Sequence, residues 1–174
     1  MSVSRRFVDL KISSKSLKSK ANILVIGVGN EYRGDDAVGP YIARKLKTKG
    51  LPRTLIEIQN GEGTLLMESW RNAHTVILLD AVNSGASPGK IYRFDAHHQP
   101  IPSRFFNCST HGFGVAEALG LANRLKRLPP CALIYGIEGK TFEAGAMLSP
   151  EVERAAEDVM ERVVEEVCKR GRMY

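Results

Sequence analysis

The hydrophobic and polar positions of the chain recur with two periods. Ile23–Val28, Thr75–Val82 and Ala132–Ile137 are near-continuous apolar runs of strand length, the pattern of strands covered on both faces. Thr54–Gln59 reads as a further strand, and Lys90–Asp95 alternates apolar and polar as a half-exposed strand does. Between these runs the period lengthens to that of a helix. Over Ala37–Lys49, Val38, Ile42, Ala43 and Leu46 fall on one stripe with basic residues opposite; Asp35 is placed to cap the start, and Gly50-Leu51-Pro52 stops it. Thr64–Trp70 predicts a short helix entered through Asn60-Gly61-Glu62-Gly63. His111–Arg127 predicts a third, with Val115, Ala118, Leu119, Ala122 and Leu125 on its apolar stripe. Ser149-Pro150-Glu151 opens the last helix, with serine as N-cap, proline at the first helical position and an acid in the first turn, and it runs to about Lys169. Residues 84–89 read as a turn and 96–110 as loop.

Strands alternating with helices imply an α/β fold: a three-layer, mostly parallel, five-stranded twisted sheet with helices on both faces and one antiparallel edge strand, from Lys90–Asp95. The pattern contains no internal repeat. It divides the chain into a basic, flexible N-terminal extension over 1–20 and a single α/β domain over 21–170.

Composition fits that picture. A chain of 174 residues with 43% hydrophobic and 25% charged content is that of a globular domain able to bury a core without staples. The net charge of +6 invites a nucleic-acid reading until its distribution is followed. Residues 1–20 carry +5 and residues 169–174 carry +3, which leaves −2 on the body between them. No nucleic-acid partner is expected, and no apolar run has the length of a membrane span or signal peptide. Cys108, Cys131 and Cys168 have no metal-type spacing and read as reduced thiols, so the expected location is cytoplasmic. Asn107-Cys108-Ser109 matches a glycosylation acceptor but lacks the secretory context that would give it meaning.

In an open α/β sheet the functional cleft lies beyond the carboxyl ends of the strands. The polar residues expected there are Asn30, Asp35, Asp36, Asn60, Glu62, Asp80, His111 and Glu138. Asp36, Asp80 and His111 stand out, because two carboxylates and an imidazole suit a divalent first-row metal with open coordination positions. Two ionised carboxylates about 5 Å apart repel by roughly 3 kcal/mol at an effective dielectric near 20, so a close pair calls for a cation or a shared proton. A helix N-terminus at His111 would keep its ring neutral and available. Simpler readings stand beside these: Asp35 as a cap, Asp36 as a first-turn dipole partner, His111 as a capping or packing residue. Asp80 resists such a reading, since an acid in a buried apolar strand is costly unless paired or liganded. His74, His97 and His98 lie in polar stretches and read as surface residues. Gly27-Val28-Gly29 is a poor dinucleotide fingerprint, with Tyr32 where a third glycine belongs and Gln59-Asn60 where the ribose acid belongs.

Four segments in order, IGVGNEYRGDDAVGP (26–40), LLDAV (78–82) with SPG (87–89), STHGFG (109–114), and YGIEG (135–139) ahead of LSPEV (148–152), resemble the hydrogenase maturation endopeptidases over about residues 22–168. The resemblance implies an endopeptidase that removes a short C-terminal extension from the precursor of a nickel–iron hydrogenase large subunit after nickel insertion. It implies nickel, supplied by the substrate, as the metal, with other divalent metals as substitutes. It also implies Asp36, Asp80 and His111 as the metal-contacting and catalytic residues, with Asp36 preferred over Asp35; Asn30, Asn60, Glu62 and Glu138, from the strand edge, are the supporting candidates. The chain departs from some members at Asn60, where those carry an aspartate; Glu62 is the nearest acid that could stand in for it. Two other classes remain open. One is a non-catalytic metal-checking or assembly factor for the large subunit, and the other is a small-molecule hydrolase on the same scaffold, for which Arg33 is the obvious basic residue at the strand edge.

Overall fold

The computed structural model describes residues 22–106 and 113–171. The extension 1–20, Cys108, His111 and the glycosylation-type triplet therefore lie outside the described residues. Five strands form one sheet: β1 (Ile23–Val28), β2 (Thr54–Gln59), β3 (Thr75–Val82), β4 (Ile91–Asp95) and β5 (Cys131–Glu138), in the order β2-β1-β3-β5-β4. All neighbours are parallel except β4, which pairs antiparallel with β5 at the edge, Ile91 opposite Ile137 and Asp95 opposite Leu133. The α/β class, the five strands and the antiparallel edge are as the sequence predicts.

Among the described residues four helices cover the sheet: α1 (Val38–Lys47), α2 (Gly63–Ser69), α3 (Val115–Arg124) and α4 (Pro150–Gly171). The alternation along each strand sorts the core. Ile23, Val25, Ile77 and Leu79 pack with Ile42 and Leu46 of α1 and with Val152, Val159 and Val163 of α4. Leu24, Ile26, Val76 and Leu78 face the other way, onto Leu66 and Trp70 at α2 and Val115 and Leu119 of α3. No helix among the described residues is long and apolar enough to cross a membrane.

Several boundaries differ from expectation, each for a local reason. The helix expected from Ala37 is preceded by a 3-10 turn over Gly34–Ala37, and the N-cap of α1 is Ala37, with no side-chain cap. Asp35 is therefore not the cap; its carboxylate is taken by distant backbone. The third helix begins at Val115, not His111, because Gly114 is extended and its N–H donates to Glu117 Oε2 at 3.1 Å. The helix dipole cannot act on His111 as a first-turn residue. Leu125 falls just past the end of α3 and is exposed, not buried on the stripe. Residues 96–110 include a 3-10 turn at Ser103–Phe105, and the last helix continues to Gly171. Cys131 and Cys168 are free, and His97 and His98 are exposed while His74 is half-buried.

Candidate active site

The chain leaves β1 towards β2 on one side and returns to β3 on the other, so the carboxyl ends of β1 and β3 form the topological switch point of the sheet. Asp36 follows β1 and Asp80 lies near the end of β3, paired in register with Gly136. The sequence brings them together through glycine. A Cβ on Gly39 would lie 2.3 Å from the carbonyl oxygens of both Val28 and Leu79, and one on Gly27 would lie 2.3 Å from the Gly39 carbonyl oxygen. Only bare backbone lets the start of α1 settle this deeply onto β1 and β3. Gly29 completes the approach: its φ is +138°, and a Cβ there would meet the Asp36 carbonyl oxygen at 1.9 Å.

Asp36 is 4% exposed and Asp80 6% exposed. Asp36 Oδ2 accepts the Asn30 N–H at 3.0 Å, and Asp80 Oδ1 accepts the Ala81 N–H at 2.8 Å. The recorded hydrogen bonds thus use one oxygen of each carboxylate. Burial pushes the Asp36 carboxyl above its ordinary range, against the Asn30 N–H and the Arg33 charge, which pull it down. Asp80 is driven well above its ordinary range, by burial first and by the Asp36 charge second, with the Ala81 N–H opposing. Two hard oxygen donors, both with proton affinity raised by burial and one raised further by the charge of the other, fit a divalent cation, whose arrival would replace the proton. Among the described residues no group of three or more His, Cys, Asp or Glu is gathered as a metal cluster, and His111, the third expected donor, lies outside them. The described residues on either side of it are held near the same edge. Asn83 N–H, just after β3, donates to the Phe105 carbonyl at 3.0 Å, and Gly63 N–H, just after β2, donates to the Phe113 carbonyl at 3.0 Å.

The other expected residues have separate tasks. Asp35 is fully buried; its Oδ2 accepts the N–H groups of Lys140 (2.7 Å) and Thr141 (3.0 Å) and the Ser149 hydroxyl (2.9 Å), and its Oδ1 accepts the Ser149 N–H (2.6 Å). It joins the β1 loop to the segment after β5 and to the start of α4. The Ser149 hydroxyl, expected as an N-cap, donates its hydrogen bond to Asp35 Oδ2 instead. Glu138 is buried, and its Oε1 accepts the N–H groups of Ser84, Gly85 and Ala86, with the Ser84 hydroxyl on Oε2, so it shapes the turn after β3. Asn30 Oδ1 accepts the Tyr32 N–H, and Asn60 Oδ1 accepts the Glu62 N–H. Glu62 is the N-cap of α2, accepting from Thr64 N and Leu65 N at 3.0 Å. Sequence reasoning missed the tasks of Asp35 and Glu138. For Glu138 the usable signal is an acid between Ile137 and Gly139 at the end of a buried strand; for Asp35 nothing near it in the chain marks its partners.

A family model described as hydrogenase maturation protease matches residues 40–166. The hydrogenase 2 maturation protease of Escherichia coli is 28% identical over 153 residues, covering 86% of this chain and 92% of the relative. Among solved structures, an endopeptidase from Escherichia coli superposes with a TM-score of 0.74 at 28% identity, over 86% of this chain and 94% of that one. The hydrogenase maturating endopeptidase HybD from Escherichia coli gives 0.69 at 25% identity with the same coverage.

Proposed function

The chain belongs to the hydrogenase maturation protease family, and from that premise we propose that it removes the C-terminal extension of a nickel–iron hydrogenase large-subunit precursor once nickel is in place. The observation that carries the proposal is the pair Asp36 and Asp80, two buried carboxylates at the switch point, each holding its proton more tightly because of burial. In this reading the nickel is cargo of the substrate. Asp36, Asp80 and His111 would hold it from the protease side, and as a Lewis acid it would favour attack of water on the scissile carbonyl. The chain's own part is to fix the carboxylates. Asn30 and Ala81 orient them, the glycine contacts set their height on the sheet, and the surrounding core keeps bulk water from competing for the metal.

Asn60 in place of an acid leaves a second reading, a non-catalytic assembly factor. One experiment separates them: incubation with nickel-loaded and nickel-free precursor, followed by mass measurement of its C-terminus. Loss of the extension from the loaded form alone is expected. Tight binding with an intact C-terminus would establish the assembly factor instead, and equal cleavage of both forms would remove nickel as the recognition element.

A further inference from the structure

Tyr32 is 79% exposed and Met147 87% exposed, the two most exposed large hydrophobic side chains among the described residues. They stand on two segments that the structure joins beside the carboxylates. Gly145 N–H donates to the Tyr32 carbonyl at 2.8 Å, and Gly34 N–H donates to the Ala146 carbonyl at 3.2 Å. Single exposed apolar residues are ordinary on protein surfaces. What distinguishes Tyr32 is how firmly its backbone is held. Its N–H donates to Asn30 Oδ1 at 3.0 Å, and the Asn30 N–H in turn donates to Asp36 Oδ2. The neighbouring Glu31 is clamped to Arg44 of α1 by a bidentate pair at 2.6 and 2.7 Å. Folding gains little from a tyrosine left in water on a fixed loop. Association gains more: aromatic residues and methionine are enriched at protein interfaces, and an anchor whose backbone is already ordered loses less entropy on binding.

Through Asn30 the loop of Tyr32 is tied directly to the Asp36 carboxylate, so a substrate chain held at Asp36 has this loop as a neighbour. We propose that Tyr32 and Met147 are specificity-determining residues that grip an apolar stretch of the substrate chain beside the scissile bond. The inference rests on the peptidase reading of the site, and its chemistry is apolar contact, with the tyrosine hydroxyl dispensable.

The test uses full-length precursor and Tyr32→Ser, Met147→Ser, the double variant, Tyr32→Phe, and Leu125→Ser as a control on the exposed end of α3. Each serine variant is expected to raise KM about fivefold or more with kcat within twofold of wild type. Thermal unfolding should be unchanged, Tyr32→Phe should behave as wild type, and Leu125→Ser should alter neither constant. An unchanged KM in the double variant, or a Tyr32→Phe as impaired as Tyr32→Ser, overturns the proposal. If wild type binds the precursor but leaves its C-terminus intact, the peptidase reading fails alone, and the dissociation constants of the same variants decide the docking rim. If wild type neither cleaves nor binds, both fail.

Discussion

Asp35 and Ser149 are 114 positions apart in the chain and share two hydrogen bonds, the Ser149 N–H to Oδ1 at 2.6 Å and the Ser149 hydroxyl to Oδ2 at 2.9 Å. With Lys140 and Thr141 on the same carboxylate, Asp35 ties the site loop to two other segments. The carboxylate of Asp36, next in sequence, accepts from one backbone N–H, and its charge raises the proton affinity of Asp80. In the proposed reading, adjacent acids divide support and chemistry between them.

Removal of the support should cost stability first. Asp35→Ala leaves three N–H groups in a buried site without their acceptor, an expected loss of about 3–5 kcal/mol. Asp35→Asn should also be poorly tolerated, because donors approach both of its oxygens and the amide presents a donor to one side. Asp36→Asn, by contrast, should keep the fold and lose cleavage. Urea unfolding and precursor processing, measured on the same preparations, check the contrast.

Asp80→Asn should abolish processing and raise stability at neutral pH. The folded-state carboxyl of Asp80 titrates above its unfolded value, so its contribution to stability is fully present below the unfolded value of about 3.9 and is lost as pH rises through the folded value. The amide keeps the Ala81 acceptor and carries no charge to bury. A gain of about 1–3 kcal/mol, a few degrees in Tm, is expected near pH 7.5 and should vanish towards pH 4. Thermal scans across that range test it; a variant less stable than wild type at pH 7.5 would refute the burial argument.

Glu138→Gln should be nearly neutral. Its amide oxygen can still receive the three N–H groups of the turn, and the Ser84 hydroxyl, 2.8 Å from the Tyr92 hydroxyl, can turn to accept from the new amide. Glu138→Ala should cost about 2–4 kcal/mol by orphaning those donors. Denaturant midpoints of the two variants, with precursor processing measured on the same preparations, separate a turn-shaping residue from one whose charge matters to cleavage.

The glycine contacts predict the sharpest steric effect. Gly29→Ala would place a methyl group against the Asp36 carbonyl oxygen at a positive φ, and little folded protein should be recovered. Gly50→Ala also has a positive φ, of +60°, but meets nothing within 4 Å, so it should cost only about 1 kcal/mol. Soluble yield and Tm of the pair measure the difference.

How much of this was legible in the sequence follows from the range of each interaction. β1, β3 and β5 are buried on both faces, and a continuous apolar run records that locally. The antiparallel edge shows in the alternation around Tyr92 and Phe94. Asp80 was found because an acid inside TVILLDAV is anomalous on its own. Asp35 was misread as a cap because its true partners lie 105 to 114 positions away, and nothing near it in the chain marks them. The start of α3 was placed four residues early because the amphipathic stripe can be extended backwards through Gly112 and Gly114, whereas Glu117 reaching back to the Gly114 N–H is a three-dimensional stop.

The depth of α1 on the sheet, set by main-chain contacts at Gly27, Gly29 and Gly39, bears on how such a protein can change over generations. Where Gly27, Gly29 and Gly39 meet main chain, the closest approach of helix to strands is set by backbone, and the apolar side chains of Val25, Ile42 and Leu79 pack beside it. Core residues can be exchanged for others of similar volume while the carboxylates stay where they are. Gly27, Gly29 and Gly39 do not share that freedom, because a single methyl group at any of them would push the helix away.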